Sequence, residues 1–280
     1  PVTGARFLSL PGGEDAVLAV LPEVVARIMR DQGFSSAHVN FHDGPDEAAF
    51  AHGQSPDDRN WSLREDIQYH WHNEAGWTGF DAFLAAMDHK HRKNIRQERR
   101  KLREAGIDFR IVHGDEASDR DLAAMHGFYL ATFADYGNSP ALTLDFLRHL
   151  AREMPRSLVI VLGQRDGAPV AGALCLRGGD TLYGRYWGAS ELHPGLHFET
   201  CYYQGIEYCL REGLARFEPG AQGHHKIARG FLPTLVRSRH WIADPRFARA
   251  IGAWCMEERE AVRAHLQQSL AHSPFRAGPA

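Results

Sequence analysis

The order of apolar segments after residue 106 constrains the fold of this chain more than any other feature. Short apolar runs bounded by turn residues predict strands, and apolar residues at helical spacing predict helices. From Ile107 the predicted order is strand, helix, helix, three strands, helix, strand, loop, strand and helix. Ser118, Thr143 and Asp244 are predicted N-caps, and Asp166-Gly167 is a hairpin turn. We therefore expect an α+β fold in which helices flank a mixed, largely antiparallel sheet.

The first part of the chain has a weaker pattern. The sequence predicts a helix over residues 22–30, strands over residues 37–41 and 67–72, and a polar link over residues 43–58. A further helix follows, with Phe80, Phe83, Leu84 and Met87 on one face. On order alone, the second half resembles the GNAT acyltransferase layout.

A strongly basic segment separates these two parts. Lys90–Arg103 contains eight Lys and Arg residues, and only Ile95 and Leu102 are apolar. One interpretation is a solvated helix that joins two subdomains and stops at Gly106. The other is a surface that binds the phosphates of a nucleotide or of RNA, with Lys93, Arg96 and Arg100 as its candidate ligands.

Net charge, cysteine and histidine usage and the lack of long apolar runs restrict the functions that this chain can have. The formal net charge of -3 argues against a protein whose whole surface binds nucleic acid or a membrane. Four cysteines without a C-x-x-C pair predict free thiols in a reducing compartment. The sequence has neither a bilayer-length apolar run nor a signal-peptide pattern, so we expect a cytoplasmic protein. Seventeen histidines occur without H-E-x-x-H spacing, and we expect no metal site.

Three segments are unusually rich in polar and aromatic residues. In Tyr183–Gly188, glycines alternate with large side chains, which indicates either a packed aromatic strand or close approach of a ligand or backbone. In Gly195–Glu199, His197 and Glu199 start a helix, where an acid suits the helix dipole or acts as a general base. In Glu218–Phe231, three glycines accompany several donors, which fits a surface loop or an oxyanion site.

These segments together resemble the signature of the bacterial FemAB-like predicted N-acyltransferases. Residues 68–71 and 93–96 fit the same pattern, so the resemblance extends from about Trp61 to Glu260. It implies tandem GNAT-like domains, the first of them incomplete here because the chain starts at Pro1 without a Met. The predicted division is residues 1–88 as the partial N-terminal subdomain, 89–106 as the basic connecting helix and 107–280 as the catalytic domain.

The resemblance also implies a reaction. The related Fem-type transferases move an aminoacyl group from a charged tRNA to an amine of a peptidoglycan precursor peptide. In them a lysine closely followed by Phe-Gly lies at the reaction centre, and Lys226 with Gly230-Phe231 is the counterpart, in reversed order. His224 stands where the family usually has Glu, which leaves the general base open between His224 and Glu199.

We accordingly expect an N-acyltransferase active in cell wall biogenesis. The candidate catalytic residues are Lys226, Glu199, His197 and His225. The candidate substrate-binding residues are Tyr183, Arg185, Trp187, Tyr203, Gln222, Arg229 and Phe231.

The absence of a glycine-rich loop motif predicts the type of acyl donor. Acetyl-CoA-dependent GNAT enzymes have a Q/R-x-x-G-x-G/A loop, whereas Gly188–Gly195 has too few glycines and a proline. We therefore favour aminoacyl-tRNA over acyl-CoA and expect no tightly bound cofactor. The alternatives are a non-catalytic GNAT-like module that binds peptidoglycan peptide or RNA, and a metal hydrolase that uses the histidines. The oligomeric state stays open.

Overall fold

The computed structural model of the protein describes residues 2–7, 14–52, 61–220 and 223–276. The strands are β1 (Ser36–His42), β2 (Trp61–His72), β3 (Ile107–His113), β4 (Leu158–Arg165), β5 (Ala168–Gly178), β6 (Thr181–Ala189), β7 (Arg216–Glu218) and β8 (Leu232–Ile242). The α-helices are α1 (Glu14–Asp31), α2 (Gly44–His52), α3 (Phe80–Ala86), α4 (His89–Glu104), α5 (Asp119–Asp135), α6 (Leu144–Glu153), α7 (Leu196–Phe198), α8 (Gln204–Glu212) and α9 (Pro245–Leu270). A π-helical turn (Glu199–Tyr203) joins α7 to α8, and His224–Arg229 forms a 3₁₀ helix.

The chain divides into two compact units. Unit 1 comprises residues 1–68 and 233–271, and unit 2 comprises residues 69–232 and 272–280. These boundaries are drawn differently from the sequence-based division at residues 88 and 106. The basic helix α4 belongs to unit 2, where Ile95 and Leu102 are buried, and the chain after residue 232 returns to unit 1.

Unit 1 contains the antiparallel pair β1 and β8, with β8 between β1 and β2. Trp61 and Trp241 are buried in its core with Phe50. The predicted polar link over residues 43–58 was wrong in part, because α2 occupies Gly44–His52. Its Ala49 and Phe50 are buried, so this segment has an apolar face that its polar flanks hide in the sequence.

Unit 2 contains the order β2-β7-β6-β5-β4-β3. All pairs are antiparallel except β6 with β7, which are parallel. Helices α5 and α6 pack on the sheet around Met125, Phe128 and Leu147. The predicted α+β class with a mixed sheet is confirmed.

The predicted local signals also hold in the structure. The side chains of Ser118, Thr143 and Asp244 each accept a backbone N–H at the start of their helices. Asp166 and Gly167 both have positive φ, as a tight two-residue hairpin between β4 and β5 requires. These motifs are local, so the sequence specifies them without tertiary information.

Candidate functional site

The parallel strands β6 and β7 diverge after three paired residues, and this divergence opens the site. Tyr183 and Glu218 form the last pair. Gly184 then lies against the backbone of Pro219, where a Cβ would approach the proline Cα to 3.1 Å. The predicted close approach at the strand glycines is therefore to protein backbone. The space beyond is a cavity of about 80 Å³. Its lining residues are Ala173, Leu174, Cys175, Gly184, Arg185, Tyr186, Trp187, His197, Cys201, Tyr202 and Pro219.

Lys226 lies beside this cavity on the 3₁₀ helix. It is 3% exposed, and its Nζ donates to the carbonyl oxygen of Gly220 at 2.8 Å. The same Nζ is 6.0 Å from the centre of the Tyr202 ring. Burial lowers the pKa of Lys226 to about 8, because removal from water disfavours the ammonium. A lysine with this pKa is still mostly cationic at neutral pH.

Two histidines lie close to Tyr202. The ring of His197 is centred 5.2 Å from the Tyr202 ring and 4.6 Å from that of Trp187. Tyr202 Oη and His225 Nε2 are 3.0 Å apart and share a hydrogen bond. Burial, reinforced by neighbouring cations, lowers the pKa of His197 to about 4 and also lowers the pKa of His225. Both imidazoles are therefore neutral at neutral pH and able to accept a proton.

The structure separates Glu199 from this group. Glu199 is 3% exposed, and both its carboxylate oxygens accept from Arg99 Nε at 3.1 Å. Gln204 Nε2 donates to the same carboxylate at 2.7 Å. Burial raises the pKa of Glu199, against the opposing charge of Arg99. Glu199 thus holds the basic helix in place, and this bonding does not suit the role of general base that the sequence suggested.

Several predicted substrate-binding residues are not among those that line the cavity. Tyr203 and Phe231 are fully buried, and Phe231 packs on Tyr202 at 5.3 Å between ring centres. Arg229 is ion-paired with Glu98. Tyr183 lies in the paired part of β6, against Gly178. The residue type alone does not reveal whether the fold buries a polar or aromatic side chain.

The remaining candidates have different placements. Arg185 and Trp187 line the cavity. His224 is exposed, and its ring neighbours in the described part of the chain are Tyr69 and His272. Gln222 lies outside the described residues.

A second concavity runs along α4. It has a volume of about 880 Å³ and includes the three predicted phosphate ligands Lys93, Arg96 and Arg100. Its other lining residues are Phe80, Asp81, Leu84, His89, Arg92, Gln97, Arg99, Arg103 and Glu207. Asp81 and Glu207 are the two carboxylates among these lining residues, so the wall is predominantly cationic. Such a wall suits a ligand with several negative charges.

Sequence reasoning did not select Tyr202, Glu98 or Arg99 as site residues. Tyr202 was visible as part of the aromatic run that follows the start of its helix. Glu98 is one acid inside a basic helix, and its importance depends on contacts with residues more than 100 positions away. No periodicity in the sequence marks such a contact.

Among the residues that the structure describes, no helix is both long enough and apolar enough to cross a bilayer. The same residues contain no cluster of three or more His, Cys, Asp or Glu side chains placed to hold a metal ion.

A comparison with known protein families identifies the family to which this chain belongs. The model of the FemAB-like family, described as peptidoglycan biosynthesis/recognition, matches residues 1–277. The chain belongs to this family. Among curated proteins, no sequence matches this FemAB-like protein.

Solved structures share the fold of this FemAB-like protein at low identity. The C-terminal domain of a protein assigned as a lysylphosphatidylglycerol synthetase from Agrobacterium fabrum has a TM-score of 0.58 at 12% identity, with coverage of 82% of this chain and 75% of that one. L-PGS from Bacillus licheniformis has a TM-score of 0.58 at 9% identity, covering 85% and 78%. FemX has a TM-score of 0.57 at 10% identity, covering 89% and 82%. The FemAB-like fold predicted from the sequence is therefore confirmed.

Proposed function

We propose that this FemAB-like protein transfers an aminoacyl group from a charged RNA to an amine of a peptidoglycan precursor peptide, with the reacting carbonyl beside Lys226. The observation that supports this most is the buried Lys226 ammonium next to two neutral imidazoles, at the place where β6 and β7 diverge. Amide formation needs both a cation for the developing oxyanion and a proton acceptor for the attacking ammonium.

The proposed step balances with the groups present. His197 or His225 accepts a proton from the acceptor ammonium, and the free amine attacks the ester carbonyl carbon. Lys226 stabilises the negative charge that forms on the carbonyl oxygen. The ester C–O bond then breaks, and the ribose hydroxyl leaves with the proton that the imidazole returns. The nitrogen loses its second proton to the other imidazole or to solvent, so that a neutral amide remains.

The cleft along α4 supports a phosphate-rich donor. Lys93, Arg96 and Arg100 lie on one helix and line the same cleft. Within the described residues Lys93 and Arg103 take part in no ion pair, so their charges are available to an anionic ligand. Cationic side chains spaced along a groove follow a nucleic-acid backbone.

The proposal is tested by a transfer assay that combines different acyl donors with an amine acceptor. Purified protein is incubated with minihelix RNA charged with a labelled amino acid, or with labelled acyl-CoA, and with a precursor pentapeptide that has a free side-chain amine. We expect a labelled amide from charged RNA and none above background from acyl-CoA. An amide formed by wild type but at an unchanged rate in Lys226→Ala would remove Lys226 from the mechanism.

The same experiment separates catalysis from recognition. A binding module would retain precursor or RNA with no amide formed from any donor. Charge reversal at Lys93, Arg96 and Arg100 would then weaken binding without any effect on chemistry. That outcome would replace the proposed transferase with a non-catalytic module.

A further inference from the structure

Two elements of unit 2 donate to the carboxylate of Glu98, which lies on α4, and a third element approaches the stem of its side chain. Tyr203 of the π-helical turn donates its hydroxyl to Glu98 Oε2. Arg229 of the 3₁₀ helix donates to Glu98 Oε1 at 2.8 Å. Gly195, at the start of α7, lies so close that a Cβ there would be 3.5 Å from the Glu98 Cβ. Glu98 therefore connects α4 to the π-helical turn and to the 3₁₀ helix, and it packs next to the start of α7.

Arg229 transmits this connection to the residues beside the cavity. Its second terminal nitrogen donates to the backbone carbonyl of His225 at 2.9 Å. Its guanidinium carbon lies 3.3 Å from the centre of the Phe198 ring. The side chain is only 12% exposed. A planar guanidinium fixed by an acid, a carbonyl and a ring has little freedom, so it fixes the peptide that joins His225 to Lys226.

The charge of Arg229 also acts on the proposed proton acceptors. After burial, nearby cations lower the pKa values of His197 and His225, and Arg229 is one of them in both cases. Lys226 acts on both rings, His224 acts on His225, and His225 acts on His197. The rings of His197 and His225 are centred 6.2 Å apart, and each also contacts Tyr202. Loss of the Arg229 charge removes one of these effects.

We propose that Glu98 is a positioning residue, which acts through Arg229 to hold the 3₁₀ helix of His225 and Lys226 in its reactive place against α4. This inference rests on the proposed aminoacyl transfer. It assigns a role to an acid that contacts neither the cavity nor, in our proposal, the substrate.

The first test separates turnover from binding. In Glu98→Gln the charge that fixes Arg229 is lost, and we expect kcat to fall about 10- to 100-fold with the acceptor KM changed less than about threefold, because small misplacement of reacting groups is costly. Glu98→Asp keeps the charge and is expected to recover part of the loss. Glu212→Gln is the matched control, since Glu212 pairs with Arg177 at 3.0 Å with similar burial in the same unit. An Asp variant no better than the Gln variant, or equal losses in Glu98→Gln and Glu212→Gln, would overturn the inference.

The second test needs no transfer activity. Histidine ring signals of His197 and His225 are titrated by NMR in wild type, Arg229→Gln and Glu212→Gln, with assignment by single replacement. We expect both pKa values to rise in Arg229→Gln only. Unchanged titration would show that Arg229 does not act on these rings and would overturn its intermediary role. If wild type forms no amide while the titration shifts as expected, the proposed function fails and the contact from Arg229 to the histidines stands.

Discussion

The two cationic regions of unit 2 differ in how they hold their charge. The cleft along α4 is wide and lined by several arginines, of which Arg96 and Arg100 have side chains about 60% exposed. The cavity where β6 and β7 diverge is about 80 Å³, and beside it lies the buried cation Lys226. Exposed charges keep their water and attract anions over a distance. A buried charge has lost its water and interacts strongly with charge that develops next to it.

In the function that we propose, this contrast corresponds to donor binding in the first region and chemistry in the second. Removal of charge from the cleft should weaken donor binding and leave turnover intact. Removal of the charge beside the cavity should lower turnover and leave donor binding intact. Four predictions test whether the two regions are separable.

The largest effect is expected at Lys226. In Lys226→Met, kcat should fall about 100- to 1,000-fold, as for loss of a single oxyanion donor in other enzymes. Donor binding, measured by fluorescence anisotropy of labelled RNA, should be unchanged. If the donor Kd rose by the same factor as kcat fell, binding and chemistry would not be separable between the two regions.

The ion pair that joins the two regions comes next. Arg99→Met leaves the Glu199 carboxylate buried without its principal cation, and unfolding free energy should fall by about 3 kcal/mol at pH 8. The pKa of Glu199, already raised by burial, rises further in the variant. Protonation then relieves the cost, so the loss should be smaller at pH 5 than at pH 8 in urea unfolding. A loss that does not depend on pH would show that Glu199 is not the group left unpaired.

Charge reversal in the cleft should affect binding alone. In Lys93→Glu with Arg96→Glu and Arg100→Glu, donor affinity should fall about 10- to 100-fold, and the salt slope should fall by about 2, as for loss of three phosphate contacts on a single strand. The control reverses Arg152, Arg156 and Arg211, which are similarly exposed in the same unit. Equal weakening in both triple variants would indicate an effect of net charge rather than a site.

The pH profile gives the smallest effect. Because burial lowers the pKa of Lys226 to about 8, the ammonium is lost as pH rises through that value. With saturating acceptor, kcat should fall about tenfold per pH unit well above pH 8. Lys226→Arg keeps its charge throughout, so its residual activity should lack this alkaline limb. A limb that persists in Lys226→Arg would belong to another group.

The sequence predicted the elements whose signals are local. The caps at Ser118 and Thr143, the turn at Asp166-Gly167 and the apolar pattern of strands determine most of unit 2 without reference to distant residues. The cap at Asp244 begins α9 of unit 1 in the same local way. The sequence also identified Lys226 and the histidines that adjoin it as candidates. It missed α2, because the polar flanks of that helix conceal its short apolar face.

Tertiary structure alone decided how the site residues are distributed. His197 and Glu199 are two positions apart, yet His197 adjoins Tyr202 and Glu199 is bound to Arg99. The direction of each side chain depends on the π-helical turn that begins at Glu199, which sequence periodicity does not reveal. Burial likewise determines the pKa of Lys226, because desolvation is a property of the whole surrounding fold. The sequence determined which chemical groups are available, and the fold determined which of them meet.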